Sequence, residues 1–156
     1  TGFHELDKIT NGWQNSDLVV IAARPAMGKT AFVLSMIKRM AVDHGIPCAM
    51  FSLEMSNQQL VQRLMVNVSE LSGEKLRSGQ LAPYEWGQLD KRVRQLYNAP
   101  IYIDDTPSLS VFELQTKARR LVREFGVKII MIDYLQLMNA SGMSYGSRQE
   151  ALCFCK

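Results

Sequence analysis

No run of apolar residues in this 156-residue chain is long enough to cross a bilayer, so no membrane partner is expected. No secretory leader is visible, and the first residue is Thr1 rather than Met. The chain therefore reads as a piece of something longer. Cysteine is scarce, with three residues: Cys48, Cys153 and Cys155. An odd count argues against a disulfide framework. Cys153 and Cys155 form one Cys-x-Cys pair, and two ligands do not make a zinc site. Cys48 sits in an apolar run and reads as a small buried hydrophobe. This cysteine usage points to a reducing, cytoplasmic setting. Strong charge is missing as well. A net charge of +3 neither demands nor excludes nucleic acid. The basic clusters Lys91-Arg92-Val93-Arg94 and Lys117, Arg119, Arg120, Arg123 fall on helical patterns and read as solvated faces. Internal repeats and low-complexity stretches are absent. What is present is 47% hydrophobic content, which suits one globular domain with a real core.

Apolar strand-like runs alternate with helical patterns. Leu18-Val19-Val20-Ile21 is expected to be a strand. Residues 30–41 read as a helix with Phe32, Met36, Ile37 and Met40 on one side, stopped by Gly45-Ile46-Pro47. Cys48-Ala49-Met50-Phe51-Ser52-Leu53 has the continuous apolar character of a buried parallel strand. Ser56-Asn57-Gln58-Gln59 has the form of a capping box that opens a further helix. Residues 73–83, polar and with two glycines, are expected to be irregular. Trp86, Leu89, Val93 and Leu96 mark another amphipathic helix. Pro100-Ile101-Tyr102-Ile103 is a short strand, and Ser110-Val111-Phe112-Glu113 is a second capping box. The helix it opens ends at Gly126, and Val127-Lys128-Ile129-Ile130-Met131-Ile132 is the most strand-like segment. Such alternation predicts an α/β fold with a mostly parallel sheet flanked by helices. Ligand-binding residues should then lie at the carboxyl ends of the strands. Lys29, Glu54, Asp104 and Asp133 are each expected there.

The richest segment is Ala23-Arg24-Pro25-Ala26-Met27-Gly28-Lys29-Thr30. Between an expected strand and an expected helix, it has the context of a phosphate-binding loop, although the pattern usually opens with Gly where Ala23 stands. Backbone N–H groups at a helix N-terminus attract phosphate, and Gly28 lets the backbone approach it. Lys29 supplies a point charge for the β- and γ-phosphates, and the Thr30 hydroxyl suits Mg²⁺. Asp133, closing a hydrophobic strand, is a second candidate on the Mg²⁺ side. Glu54 is the candidate for orienting or deprotonating an attacking water. Asp104 and Asp105 either reach the site from a neighbouring strand or simply end one, and the second reading is preferred.

Thr1-Gly2-Phe3 with Leu6-Asp7, the loop of residues 23–30, Phe51-Ser52-Leu53-Glu54-Met55-Ser56 and Ile132-Asp133-Tyr134-Leu135-Gln136-Leu137-Met138 together resemble the replicative DNA helicase family of DnaB type. The similarity is to its C-terminal, RecA-like P-loop NTPase motor domain, in which Ala at the position of Ala23 is usual. It covers residues 1–150. The resemblance implies an enzyme that hydrolyses ATP with Mg²⁺, forms a hexameric ring around single-stranded DNA, and works with a primase and a helicase loader. By the same resemblance Ala23, Arg24, Pro25, Ala26, Met27, Gly28, Lys29 and Thr30 bind nucleotide. Lys29 and Glu54 are catalytic, and Thr30 and Asp133 serve the metal. Residues 139–148 align with a loop facing the DNA channel, where Arg148 is the only basic residue. It is either a phosphate contact or part of a plain surface loop.

Residues 151–156, Ala151-Leu152-Cys153-Phe154-Cys155-Lys156, depart from the family pattern. They read as a shifted or shortened reading frame, or as a cut boundary. The family's further strand, its Gln-containing sensor and its trans-acting arginine are not in the chain. The fold is accordingly expected to be incomplete at the C-terminus, and the fragment to bind nucleotide with weak or no activity alone. Two other readings remain: another RecA-like ATPase of recombinase type, and a catalytically silent nucleotide-binding or oligomerisation fragment.

Overall fold

The computed structural model describes residues 1–138. Its centre is β1 (Cys48–Ser52), where all five residues are buried. The strand has apolar neighbours above and below, which a run of alternating polarity would not tolerate. β2 (Ile101–Asp104) and β3 (Ile129–Asp133) pair with it in parallel, one on each side, giving the order β2-β1-β3. The register sets Cys48 opposite Ile101 and Ile129, and Ser52 opposite Asp133. All three carboxyl ends therefore lie at the same end of the sheet.

The pleat divides the core in two. Cys48 and Met50 face one layer with Leu34, Met36, Ile37, Leu60, Leu64 and Met131. Ala49 and Phe51 face the other with Leu109, Leu114, Val127 and Met138. The first layer is covered by α2 (Lys29–Ile37), which runs on as a wider helical turn over Lys38–Asp43, and by α3 (Asn57–Ser69). The second is covered by α6 (Val111–Phe125). A short α4 (Gly73–Ser78) and α5 (Pro83–Tyr97) pack outside α3. Burying a side chain such as Phe51 or Leu60 contributes about 1.5–3 kcal/mol. Helix starts follow local chemistry: Ser56 with Gln59 and Ser110 with Glu113 both form reciprocal capping boxes.

A further helix, α1 (His4–Thr10), precedes these. Phe3, just ahead of it, stacks on Phe32 of α2 with ring centroids 5.2 Å apart. The Arg39 guanidinium lies 4.8 Å over the Phe3 ring and donates to the Gly2 carbonyl at 3.0 Å. Gly2 has φ +83°, and a Cβ there would fall 2.5 Å from the Arg39 Cβ. The amino-terminal segment is thus fastened to the helix that carries the loop.

Two expectations need correction. Residues 18–21 form no strand, and Leu18 and Val20 are 65% and 74% exposed. Apolar and β-branched composition yields a strand only where a ladder partner and an apolar cover exist. Among the described residues this run has neither, and the outer edge of β3 is unpaired. Lys29 therefore follows an irregular segment rather than a strand. Residues 73–83 are also not wholly irregular. Ser72 caps α4 by accepting from the Lys75 N–H, and Pro83 opens α5.

Candidate active site

The loop of residues 24–28 closes on itself through Met27 N–H to the Arg24 carbonyl, 3.3 Å. Ala26 and Gly28 both have left-handed backbones, φ +62° and +84°. A Cβ at Gly28 would meet no protein atom beyond its chain neighbours within 4 Å, so within the fold it is the left-handed dihedral that favours glycine there. α2 begins at Lys29 with no side chain capping it. Its first-turn N–H groups and the positive end of the helix dipole are thus left available at the loop. Residues 23–28 are all exposed.

Asp133 approaches this helix start from the end of β3. It is 6% exposed, and its Oδ2 accepts the Thr30 hydroxyl at 2.6 Å. These residues are 103 positions apart in the chain. The Asp133–Tyr134 peptide bond is cis. The Lys29 ammonium sits 4.7 Å from the centroid of the Tyr134 ring. Leu53 N–H donates to the Asp133 carbonyl at 2.8 Å, which ties the exit of β1 to the same point. Immediately beyond, the buried Ser52 hydroxyl accepts the Met55 N–H at 3.1 Å and donates to the Met55 carbonyl at 2.8 Å. Glu54 is held at the tip of that turn, exposed to solvent.

The structure thus brings the expected residues Lys29, Thr30 and Asp133 together and sets Glu54 on the adjoining turn. Two hard oxygens held 2.6 Å apart suit Mg²⁺, which takes few protein ligands and keeps waters and phosphate oxygens. Among the described residues no group of three or more His, Cys, Asp or Glu forms a metal cluster of another kind.

Asp104 is elsewhere, since β2 lies across β1 from β3. It accepts from Lys117 Nζ at 2.6 Å and from the Thr106 N–H at 3.0 Å. Burial works to raise its carboxyl, but hydrogen bonds from Lys117 and Thr106 outweigh this and hold it below its ordinary value. Asp105 accepts the Asn57 N–H at the start of α3, 2.7 Å. Both are structural. In the basic clusters, Arg92 pairs with Glu70, Arg94 with Asp90 and Arg120 with Glu124, all at the surface. Burial pushes the Cys48 thiol up to about 11, so it is inert. Arg148, Cys153 and Cys155 lie outside the described residues. An apolar pocket of about 320 Å³ between α3, α5 and β2 holds none of the candidate residues. Two site residues had no role assigned from sequence. Ser52, a small polar residue ending a buried strand, was a signal for a turn. Tyr134 stood in the motif of residues 132–138 that carries the resemblance, without a role of its own.

The parallel sheet and its covering helices define an α/β fold of RecA-like class. Comparison with known proteins narrows this. The family described as the DnaB-like helicase C terminal domain matches residues 1–154, and the chain belongs to that family. It is 49% identical over 150 residues to the replicative DNA helicase DnaB of Geobacillus stearothermophilus, covering 96% of this chain and 33% of that one. It is 45% identical to the replicative DNA helicase DnaC of Bacillus subtilis, covering 96% and 33%. The chain therefore spans about a third of the length of these relatives. Among solved structures, a DnaB-like replicative helicase studied with its interactions with primase superposes with TM-score 0.88 at 35% identity, over 97% of this chain and 36% of that one. A second solved structure, of an ATPase domain, superposes with TM-score 0.87 at 35% identity, over 97% and 54%.

Proposed function

We propose that this chain carries the nucleotide site of an ATP-driven replicative DNA helicase. The observation that supports this most is the Thr30–Asp133 hydrogen bond at 2.6 Å, which joins the start of the loop helix to the end of a distant strand. Residues 23–30 would receive the phosphates through backbone N–H groups. Lys29 would neutralise the β- and γ-phosphate charge. Thr30 and Asp133 would hold Mg²⁺, which supplies charge stabilisation on the phosphate oxygens when bound. Glu54, on a turn fixed by Ser52, would orient the attacking water and take its proton. Residues 1–150 form the motor segment in this reading. Single-stranded DNA is the track, with Arg148 as a candidate contact. A hexameric ring, a primase and a helicase loader are the partners, and the cytoplasm is the setting. By itself the chain binds nucleotide and turns it over weakly or not at all.

The test is single-stranded-DNA-stimulated ATP hydrolysis and duplex unwinding by a chain of the relatives' full length that carries this segment. Glu54→Gln is expected to lower kcat by about 10²–10⁴ with nucleotide affinity changed little. ATP-dependent strand exchange without unwinding would instead support the recombinase-type reading. Full hydrolysis by the Glu54→Gln chain would remove Glu54 from the mechanism.

A further inference from the structure

We infer that Tyr134 is a positioning residue: its ring engages the Lys29 ammonium and competes for it with the phosphates of an arriving nucleotide. The inference rests on the phosphate-site reading and adds to it a side chain that competes for the lysine. The Lys29 ammonium has no hydrogen bond or ion pair among the described residues, and its partner there is the Tyr134 ring at 4.7 Å. The ring stands on a firm base. Leu137 N–H returns to the Tyr134 carbonyl at 3.2 Å, Met138 N–H returns to the Leu135 carbonyl at 3.1 Å, and Met138 is buried in the core.

The alternative partner for a free lysine here is the Asp133 carboxylate, next in sequence to the ring. A Lys29–Asp133 pair would tie the phosphate-binding cation to the metal-side acid. Drawing the lysine away would then leave a buried carboxylate uncompensated. A neutral ring attracts a cation weakly and is left without a stranded charge when the cation departs. Meanwhile Thr30 occupies Asp133 Oδ2. The arrangement keeps the two charged groups apart and lets each meet its own ligand.

The resting contact has a measurable consequence. A nucleotide that recruits Lys29 must first displace it from the ring, which weakens affinity by a factor of about two to five for a contact of this strength. AMP, lacking the β-phosphate, does not recruit the lysine and escapes that factor.

Side-chain NMR of Lys29 in this chain, assigned with Lys29→Arg, reads the contact directly. Ring current should shift the methylene next to Nζ upfield in the free protein. Saturation with ADP and Mg²⁺ should return it to the ordinary position. Tyr134→Phe should keep the shift and Tyr134→Leu lose it. ADP affinity should rise about two- to fivefold in Tyr134→Leu, with AMP affinity unchanged and Tyr134→Phe like the parent. The inference is overturned if the free lysine shows no upfield shift, if the shift survives ADP saturation, or if Tyr134→Leu weakens ADP binding or leaves it unchanged. The wild-type titration decides the matter even if the leucine variant does not fold. A shifted lysine in a chain that binds no ADP would overturn the phosphate-site reading, and the release step with it.

Discussion

Replacing Ser52 by alanine removes one hydroxyl from the tightest part of the site. Alanine fills the same space but for one oxygen, so packing changes little and the effect is that of two hydrogen bonds. The hydroxyl accepts from Met55 N–H at 3.1 Å and donates to the Met55 carbonyl at 2.8 Å, and Ser52 is 2% exposed. Each such bond contributes about 0.5–1.5 kcal/mol net. Met55 is half-buried, so water can reach part of what is lost, and the total should fall near the low end, about 1–2 kcal/mol. In urea the midpoint should drop by roughly 0.5–1 M with an unchanged slope, since the same surface is exposed on unfolding. The same turn aims Glu54. In a full-length chain, kcat for ATP hydrolysis should therefore fall about tenfold or more. Nucleotide affinity should stay within about twofold, because Glu54 acts on the water rather than on the bound phosphates. An unchanged midpoint would refute the hydrogen-bond argument. A lowered midpoint with kcat intact would refute the claim that this turn positions Glu54.

Glu85 gives a pH test. The hydrogen bond from Lys75 at 2.7 Å, helped by the Ala82 N–H, holds its carboxyl below the ordinary value. A depressed carboxylate contributes stability that is present above its unfolded value of 4.5 and lost as pH falls through the folded value. Glu85→Gln should therefore lower the urea midpoint at pH 7. The gap from the parent should narrow as pH falls below the usual carboxylate range, and a gap constant with pH would contradict this. Gly2→Ala combines a strained φ of +83° with a Cβ 2.5 Å from the Arg39 Cβ. It should destabilise the chain by about 1–2 kcal/mol in urea unfolding, the limit being set by undocking of the amino-terminal segment. No change would mean that this segment adds nothing to the hold on α2.

What was legible in the sequence is what short-range chemistry and core composition decide. The boxes Ser56/Gln59 and Ser110/Glu113 start helices with hydrogen bonds made inside four residues. β1 shows itself by an unbroken apolar run that only a strand buried on both faces can use. Asp133 and the Glu54 turn lie side by side because parallel pairing puts the ends of β1 and β3 at one end of the sheet, and the start of α2 brings Lys29 and Thr30 to that end. Residues 18–21 misled because their composition is strand-like while the ladder partner is a long-range matter. α4 was hidden by Gly73 at its first position, and the Ser72 cap outweighed it. The Lys29–Tyr134 contact joins residues more than a hundred positions apart, and no local pattern encodes it.

Binding of a fluorescent ATP analogue with Mg²⁺ to this chain, measured beside Lys29→Ala and Asp133→Asn, tests the central claim most directly. The account predicts saturable binding in the parent and a loss of affinity of about tenfold or more in Lys29→Ala, the size of a charge-assisted phosphate contact. Affinity in Asp133→Asn should lose its dependence on Mg²⁺. Equal binding by the parent and Lys29→Ala would contradict the account, as would no binding by a folded parent chain.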